Sequence, residues 1–246
     1  MSLDTTVAKG MAVLELLAKA DGPLRLSAIA EQLDLQKSNV HRLLGTLSTL
    51  GYVTQEAETG RYQPSLKLWE LGVGIISAHP AKRAAAPFMQ DLHRSTSETV
   101  SLTVLDGDEV LYLDKLLSPR PLRFTTQPGT RAPAALTASG RAMLALTEDP
   151  RPVLERSVKR WSKAKDLDVD AVMAELERIR RDGYATSESS WTPGIVSVAV
   201  AIPTRGGSAA LTVSGPAERI SEEKRQEIIE AVLHTGARIA ETVGRL

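Results

Sequence analysis

The sequence predicts an α+β protein in which a small helical unit, closed by a β-hairpin, precedes a linker helix and a larger unit built on an antiparallel sheet. Three observations predict this arrangement. Apolar residues recur at helical spacing as far as Gly51, strand-like alternation begins after residue 97, and Pro80 separates the two patterns. We therefore place the first unit at residues 1–64, the linker helix at 65–79 and the second unit at 80–246.

The composition narrows the class of protein before any motif is considered. Of the 246 residues 42% are apolar, and no apolar run approaches the roughly 20 residues of a membrane span. The first residues show neither a basic leader nor a small-residue cleavage site. Cysteine is absent, which excludes disulfides, thiolate nucleophiles and cysteine-ligated zinc. These features predict a cytoplasmic protein with no membrane partner.

The first two helices are predicted from apolar spacing and from the residues that interrupt it. Residues 6–18 carry apolar side chains at helical spacing, namely Val7, Met11, Leu14 and Leu17. Asp21-Gly22-Pro23 then breaks the helix, and Ser27 is expected to cap a second, short helix. The residues of the second helix that are expected to face inward are Ile29, Ala30 and Leu33.

The third helix, predicted over 37–50, has two faces of different character when successive residues are placed about 100° apart. One face is apolar and is expected to be buried: Val40, Leu43, Leu44, Leu47 and Leu50. The opposite face carries short polar groups, a glycine and two potential cations: Ser38, His41, Arg42, Gly45 and Thr49. Gly51 is expected to end the helix.

A hairpin signal follows the third helix, with Glu58-Thr59-Gly60 as its turn. The order of helix, helix, turn, helix and hairpin is that of a winged helix-turn-helix domain. A helix in the major groove needs donors and acceptors that face bases and phosphates, and small residues where the backbone comes close. The predicted DNA-binding residues are Lys37, Ser38, Asn39, His41, Arg42 and, beyond the wing turn, Arg61.

The distribution of charge keeps a second interpretation open. The whole chain has 30 basic and 30 acidic residues, and residues 1–64 hold slightly more acids than bases. The third helix contains no acid, which favours DNA binding because phosphate attraction acts through the contacting face. The alternative is a solvated helix in some other small helical unit.

The second unit is predicted to combine strands with amphipathic helices. A helix begins near Ala81 after Pro80, and Asp106-Gly107-Asp108 joins two strands in a hairpin. Further strands are expected in the segments LRFTTQ, YATSE, VSVAVAIP and SAALTVSGP, and helices in LTASGRAMLALT and VDAVMAELERIRRDG. A long helix from Ser221 to about Arg245 is expected after them.

Several segments, in the right order, resemble one protein family. The segment SNVHRLLGTLSTLGYV resembles the recognition helix of the IclR family of bacterial transcription regulators, whose pattern is KST-x-HRLL-x-x-L-x-x-x-G-Y. The family's linker helix and effector domain are similar to four further segments: RYQPSLKLWELG, PGTRAPAALTASGRAMLAL, GYATSESSWTPGIVSVAVAIP and AALTVSGPAERI. The resemblance covers nearly the whole chain. It implies a winged helix domain, a linker helix, a GAF-like effector domain, and dimers or tetramers on a palindromic double-stranded DNA operator.

The resemblance also implies where a small organic acid, the effector, binds. In the family the segment TASGR helps to hold a carboxylate, which points to Ala138, Ser139 and Gly140 here. Free N–H groups at the start of a helix favour an anion. The other residues that the resemblance implies are Ser187, Glu188, Ser197, Thr212 and Ser214. The alternative is that these serines and threonines serve only local structure.

The sequence departs from the family pattern at several of these positions. Ala135 and Leu136 replace a histidine and an alanine, and Arg141 replaces a lysine. Ser197 stands where cysteine is frequent, and Glu188 is the acid that remains of an acidic cluster. These changes predict a ligand different from the family's small keto acids, an aromatic or hydroxylated acid being one alternative.

Motifs that would indicate an enzyme are absent or weak. No P-loop or GxGxxG motif opens a helix, no GxSxG elbow surrounds Ser139, and metal-ligand spacing is lacking among the four histidines, His41, His79, His93 and His234. We therefore expect no catalytic activity, no cofactor and no metal. The sequence predicts a transcriptional repressor or activator controlled by a small organic acid. Two alternatives stay open: a small-molecule enzyme, and an adaptor whose winged helix does not bind DNA.

Overall fold

The fold is described by a computed structural model, which covers residues 3–244. The chain divides into two compact units, Met1–Ser77 and Ala78–Leu246. The elements up to their boundary are the helices α1 (Thr5–Lys19), α2 (Leu26–Gln32), α3 (Lys37–Thr49) and α4 (Lys67–Ala78), with the strands β1 (Val53–Gln55) and β2 (Tyr62–Pro64) between α3 and α4. The predicted order of three helices, a hairpin and a linker helix is confirmed.

Three helices and the hairpin of the first unit share one apolar core. Its buried residues come from α1, α2, α3, β1 and β2: Val13, Leu14, Leu17, Ile29, Ala30, Val40, Leu43, Leu44, Val53 and Tyr62. Leu33 and Leu47 pack against it from partly buried positions. β1 and β2 pair antiparallel, and the turn between them places Gly60 at φ +66°, a conformation that favours glycine.

Helical spacing alone overestimates how far this core extends. Val7, Met11 and Leu50 are 63%, 53% and 52% exposed, although the spacing groups them with the buried residues of α1 and α3. A helical wheel treats a helix as endless, whereas the core has a finite length. The burial of α1 begins at Val13, and the apolar face of α3 leaves the core before Leu50, so the prediction of a buried Leu50 is wrong.

The start of α2 is set by the wing rather than by a capping side chain. Backbone hydrogen bonds of 2.9 and 2.8 Å pair Leu24 with Tyr62 of β2. The helix then begins at Leu26, and no side chain caps it. The prediction of Ser27 as the cap is wrong, because a contact between residues distant in sequence decides where the chain turns into the helix.

The second unit is a six-stranded antiparallel sheet with helices on both faces. Its helices are α5 (Pro80–Thr96), α6 (Ala138–Leu144), α7 (Arg151–Arg160), α8 (Val169–Asp182) and α9 (Glu222–Gly244). Its strands are β3 (Thr99–Asp106), β4 (Glu109–Leu116), β5 (Arg131–Pro133), β6 (Ala185–Glu188), β7 (Ile195–Thr204) and β8 (Gly207–Pro216), in the order β5-β4-β3-β8-β7-β6. Helices α5 and α9 pack on one face of the sheet, and α6 packs on the other together with α8.

One predicted strand is absent and one short strand takes its place. The segment LRFTTQ, residues 122–127, is not a strand, and β4 is paired at its outer edge by residues 131–133 instead. The carbonyl of Phe124 accepts a hydrogen bond of 3.0 Å from Thr99 Oγ1, and its ring packs on the core below α6. The segment is therefore held against the face of the sheet and cannot extend its edge.

Other differences concern the connections and the ends of helices. Helix α7 and the 3-10 turns at Ala134–Leu136 and Ser162–Ala164 had no prediction from the sequence. The last helix begins at Glu222, since Ser221 Oγ accepts a hydrogen bond of 3.2 Å from the N–H of Lys224 as a cap. Its predicted end at Arg245 lies outside the described residues. Within residues 3–244, no helix has the length and apolar character needed to cross a membrane.

Candidate DNA-binding helix and effector cavity

The polar face of α3 is exposed and its hydrogen-bonding groups are largely unused. Its exposed residues are Ser38, His41, Arg42, Gly45 and Thr49. The side-chain hydrogen bonds that α3 forms with described residues are those of Thr46 and Thr49 to carbonyls of the same helix, at 3.0 and 2.9 Å. The side chains of Lys37, Ser38, Asn39, His41 and Arg42 therefore remain available to an external partner.

The first turn of α3 favours an anion. Its N-cap residue, Gln36, makes no side-chain cap, and no acidic residue lies in the first turn. A lysine at the first helical position, Lys37, is unfavourable for the helix itself because the helix dipole is positive there. Unpaired backbone N–H groups together with the Lys37 ammonium and the Ser38 hydroxyl form an arrangement suited to a phosphate.

Gly45 is not required by the packing of the first unit. A Cβ atom built at Gly45 has no heavy atom of its surroundings within 4 Å, and the residue has helical backbone angles. Glycine inside a helix costs about 1 kcal/mol relative to alanine. Packing within the unit therefore does not explain a glycine at this exposed position.

Arg61 is placed differently from the other predicted DNA-binding residues. It is exposed at the end of the wing turn, but its guanidinium donates a long hydrogen bond of 3.5 Å to the carbonyl of Pro23, in the turn between α1 and α2. The wing turn also carries the carboxylates of Glu56 and Glu58. The structure thus groups Lys37, Ser38 and their neighbours on α3 and leaves Arg61 apart from them.

A small cavity lies between the start of α6 and the sheet of the second unit, and we call it the inner chamber. Its volume is about 30 Å³, and it is lined by Tyr112, Phe124, Leu136, Thr137, Ala138, Ser139, Ser187, Ser190, Trp191, Thr192, Ile195, Ser197, Thr212 and Ser214. Six of the eight residues implied by the family resemblance are in this wall: Ala138, Ser139, Ser187, Ser197, Thr212 and Ser214.

The structure does not bring Gly140 and Glu188 to the chamber wall. The N–H of Gly140 already donates to Thr137 Oγ1 at 3.1 Å, and a Cβ built at Gly140 would stand 2.1 Å from the carbonyl oxygen of Ala134. This glycine allows two backbone segments to touch. Glu188 is exposed, and its carboxylate accepts a hydrogen bond of 2.9 Å from Arg225. Both positions are therefore explained by local packing.

The floor of the inner chamber carries hydroxyl groups of two neighbouring strands, β7 and β8, and further buried hydroxyls lie beside it on β3. Ser197 and Ser214 share a hydrogen bond of 2.8 Å between their Oγ atoms. The hydroxyls of Ser101, Thr103 and Thr212 are buried and form no hydrogen bond within the described residues. Strand pairing places Ser101 beside Thr212, so their side chains lie on the same face of the sheet.

No charged side chain of the described residues lines the inner chamber. Arg141, which the resemblance aligns with a family lysine, donates to the carbonyl of Ala135 at 2.8 Å and to Glu175 at 2.7 Å. Its charge is therefore already neutralised by a protein carboxylate. Residues 3–244 also contain no group of three or more histidine, aspartate or glutamate side chains able to hold a metal ion.

Three aromatic residues of the chamber wall were not predicted from the sequence: Tyr112, Phe124 and Trp191. Burial raises the pKa of the Tyr112 phenol to about 12, so the hydroxyl stays protonated at neutral pH. Trp191 is fixed by an edge-on contact with Trp161, with ring centroids 5.6 Å apart. The sequence offered one signal for them: aromatic residues make up only 4% of the chain, too few to fill a core, so those present could mark a binding site.

A larger, open cavity adjoins the same aromatic residues, and we call it the outer chamber. Its volume is about 520 Å³, and it is lined by Tyr112, Lys115, Leu117, Phe124, Thr125, Thr126, Gln127, Thr130, Arg131, Ala132, Trp191 and Thr192. Arg131 is engaged by Asp106 at 2.7 Å and by Glu109 at 3.3 Å. The two chambers therefore meet at Tyr112, Phe124, Trp191 and Thr192.

Comparison with known proteins agrees with this architecture over nearly the full length. Residues 6–57 match the model of the IclR helix-turn-helix domain, and residues 73–241 match that of the bacterial transcriptional regulator IclR C-terminal domain. The chain is 34% identical over 239 residues to the HTH-type transcriptional regulator KdgR of Escherichia coli K12, covering 95% of this chain and 90% of that protein.

Two solved structures with the same fold each cover nearly all of this chain. The Thermotoga maritima IclR is 27% identical, with a TM-score of 0.76 over 98% of this chain and 99% of that one. An IclR homologue of Microbacterium hydrocarbonoxydans, in complex with 4-hydroxybenzoate, shares the fold at 22% identity and a TM-score of 0.82, over 98% and 100% of the two chains. Since both family models match in order and together span most of the sequence, this chain belongs to the IclR family of bacterial transcriptional regulators, with a DNA-binding helix-turn-helix domain and an effector-binding domain.

Proposed function

We propose that the protein binds a palindromic operator through α3 of two or more protomers, and that a small organic acid bound in the second unit changes its affinity for that operator. The observation that carries the proposal is the row of unused donors on α3, which contains two cations and no acid. Ser38, Asn39, His41 and Arg42 face bases and phosphates, and Lys37 contacts a phosphate.

The assembly we propose is a homodimer or a homotetramer acting on DNA in the cytoplasm. Two α3 helices related by a twofold axis read half-sites about 34 Å apart or a multiple of that distance. The effector acts by favouring one spacing of the two helices. This coupling is reciprocal, so operator DNA changes the affinity for the effector by the same factor.

The organic acid is supported by the position of the two chambers and by one related protein. The residues that the family resemblance assigns to the effector lie mainly in the wall of the inner chamber. The homologue from Microbacterium hydrocarbonoxydans has an aromatic hydroxy acid bound. Catalysis is not part of the proposal: the inner-chamber wall contains no histidine and no carboxylate to activate Ser139, whose Oγ lies 3.5 Å from Thr137 Oγ1.

A mobility-shift experiment tests this function. The purified protein is titrated into DNA from the region upstream of its own gene at fixed salt, with and without a panel of small carboxylic acids. Arg42→Ala is expected to weaken the specific shift roughly five- to a hundredfold, because a base or phosphate contact contributes about 1–3 kcal/mol. Arg181→Ala removes an arginine of α8 that is also exposed and serves as the control.

The outcomes separate the regulator from its alternatives. A specific shift that depends on Arg42 and responds to one acid supports the proposal. Equal affinity of Arg42→Ala and the unchanged protein at matched salt contradicts the placement of α3 on DNA. If no specific shift forms under any condition, the adaptor and the enzyme become the better hypotheses, and the second unit is then assayed for turnover of the acids.

A further inference from the structure

Of the two cations that line the outer chamber among the described residues, Lys115 has no carboxylate partner. Arg131 is paired with Asp106 and Glu109, and Arg141 with Glu175. The Lys115 ammonium makes no hydrogen bond or ion pair with any residue between positions 3 and 244, and its side chain is half-buried in the wall of the outer chamber. No acidic side chain among the described residues lines that chamber.

An irregularity in β4 is the reason that Lys115 faces the chamber. Tyr112 and Lys115 are three residues apart, so a regular strand would turn them to opposite faces of the sheet. The register with β3 shifts between Leu102 and Thr103, so that Thr103 pairs with Tyr112 and Ser101 pairs with Lys115. This β-bulge brings both side chains to the face that carries the chambers.

The same bulge keeps the neighbouring carboxylate away from Lys115. Asp114 pairs with Leu102 in the sheet and so faces the opposite side, where its Oδ2 lies 3.3 Å from the ammonium of Lys82 on α5. Only the other oxygen of Asp114 turns back, to accept a hydrogen bond of 2.9 Å from the backbone N–H of Lys115. The Lys115 ammonium is therefore left for an anion that comes from outside the protein.

The start of α6 is a poorer place for a carboxylate in this chain. The N–H of Gly140 is already bound by Thr137, and the chamber beside it has no cation in its wall. Its volume of about 30 Å³ holds one or two water molecules. The outer chamber, at about 520 Å³, has the size of a typical small-molecule site.

The inner wall of the outer chamber is suited to a flat ring. Tyr112, Phe124 and Trp191 form it, and aromatic rings attract one another in offset and edge-on arrangements. Trp191 is held from behind by Trp161 and by Lys163, whose ammonium lies 4.7 Å from its ring centre and donates to its carbonyl at 3.2 Å. The wall is therefore formed before a ligand arrives.

We propose that Lys115 holds the carboxylate of the effector, and that this effector is a monocarboxylic acid with a flat ring that lies in the outer chamber against Tyr112, Phe124 and Trp191. That an effector exists rests on the proposed function. The inference adds the chemical class of the effector and the residue that anchors it. The anchor is a different residue from those that the family resemblance implies.

Calorimetric titration of the full-length protein tests the anchor and the ring separately. Benzoate, its neutral analogue benzamide, and the ringless acid pyruvate are the probes, at one pH and one salt concentration. Benzoate is expected to bind at least tenfold more tightly than either benzamide or pyruvate. Equal affinities for benzoate and benzamide, equal affinities for benzoate and pyruvate, or no binding of benzoate would each overturn the proposal.

Two substitutions of Lys115 identify the cation. Lys115→Met keeps the length of the apolar stem and removes the charge, and it is expected to weaken benzoate binding roughly ten- to a hundredfold, the range of a lost charge-assisted hydrogen bond, without affecting benzamide. Lys115→Arg keeps the charge and is expected to stay within a few-fold of the unchanged protein. Lys165→Met, at an exposed lysine outside both chambers, is the control.

The rival anchor is tested by Ser139→Ala, at the start of α6. A large loss of benzoate affinity in Ser139→Ala with none in Lys115→Met would overturn the proposal in favour of that site. Operator binding in the absence of any acid is measured for each variant as a test of folding. In the unchanged protein it also tests the proposed function separately from the proposed anchor, because benzoate binding can be measured whether or not the protein shifts its operator. If Lys115→Met alone loses the operator shift, the affinities of Lys115→Arg for benzoate and for benzamide are compared instead, and they decide whether Lys115 is the anchor.

Discussion

The polar face of α3 and the floor of the inner chamber are both rich in small hydrogen-bonding residues. The groups that lack a hydrogen-bond partner nevertheless affect stability differently in the two places. On α3 the side chains of Ser38 and Arg42 are exposed, so water satisfies them until a partner replaces it. The hydroxyl of Thr212 at the chamber floor is buried, as is that of Ser101 beside it on β3, and an unpaired buried hydroxyl costs about 1–3 kcal/mol. The first site is therefore separable from the stability of its unit, whereas the second is part of the packing.

Glycine substitutions at the start of α6, beside the inner chamber, and on α3 give the largest expected contrast. Gly140→Ala places a Cβ atom 2.1 Å from the carbonyl oxygen of Ala134, where backbone rather than a flexible side chain must move. Overpacking of this kind lowers the free energy of unfolding by about 3 kcal/mol. Urea unfolding of the second unit, followed by tryptophan fluorescence, measures the change. A loss below about 0.5 kcal/mol, the scatter of surface substitutions, would show that the packing beside the chamber tolerates change as α3 does.

The chamber also links stability to pH through Tyr112. Its phenol has a pKa of about 12 when folded, raised by burial from 10.0. Between pH 10 and 12 the unfolded chain releases a proton that the folded chain keeps, so the free energy of unfolding falls as the pH rises. The contribution of Tyr112 to that free energy is therefore complete below pH 10. The difference amounts to about 2–3 kcal/mol at most. Tyr112→Phe is expected to remove this part of the alkaline decline, and parallel curves for both proteins would contradict it.

A substitution at the start of α3 is expected to change binding and stability in opposite directions. Lys37→Ala removes one phosphate contact, so the slope of log affinity against log salt for operator DNA becomes shallower by about one. It also removes a cation from the positive end of the helix dipole, which raises stability by roughly 0.3–1 kcal/mol. Lys165→Ala, at an exposed lysine of the second unit, is expected to change neither quantity. An unchanged salt slope for Lys37→Ala would place the lysine away from phosphate.

A substitution at Gly45 is expected to have a similarly small effect on stability. Gly45→Ala meets no neighbouring atom and adds a better helix former, so it is expected to raise the free energy of unfolding by about 0.5–1 kcal/mol. Operator affinity is expected to fall, because the added methyl group occupies the space into which DNA approaches. Thermal unfolding and mobility shifts on the same preparation measure both. A more stable protein that binds its operator as tightly as before would show that DNA does not approach there.

The sequence predicted most elements of both units, and its errors have identifiable causes. Helical spacing found α1, α3 and α8, and glycine-containing turns found the hairpins, because these signals act within a few residues. It misplaced the cap of α2 at Ser27 and a strand over 122–127, because Tyr62 and Thr99, distant in sequence, decide those segments. The outer chamber was missed for the same reason.

The sequence by itself determined that a winged helix-turn-helix unit precedes an α+β unit, and which face of α3 is exposed, since the period of a helix converts spacing directly into faces. Only the tertiary structure decided which polar groups remain unused. Ser139 and Gly140 adjoin in sequence, yet one lines a chamber and the other packs on Ala134. Lys115 faces the outer chamber because of a bulge that exists only where β4 pairs with β3, and strand register is a property of two segments that neither encodes alone.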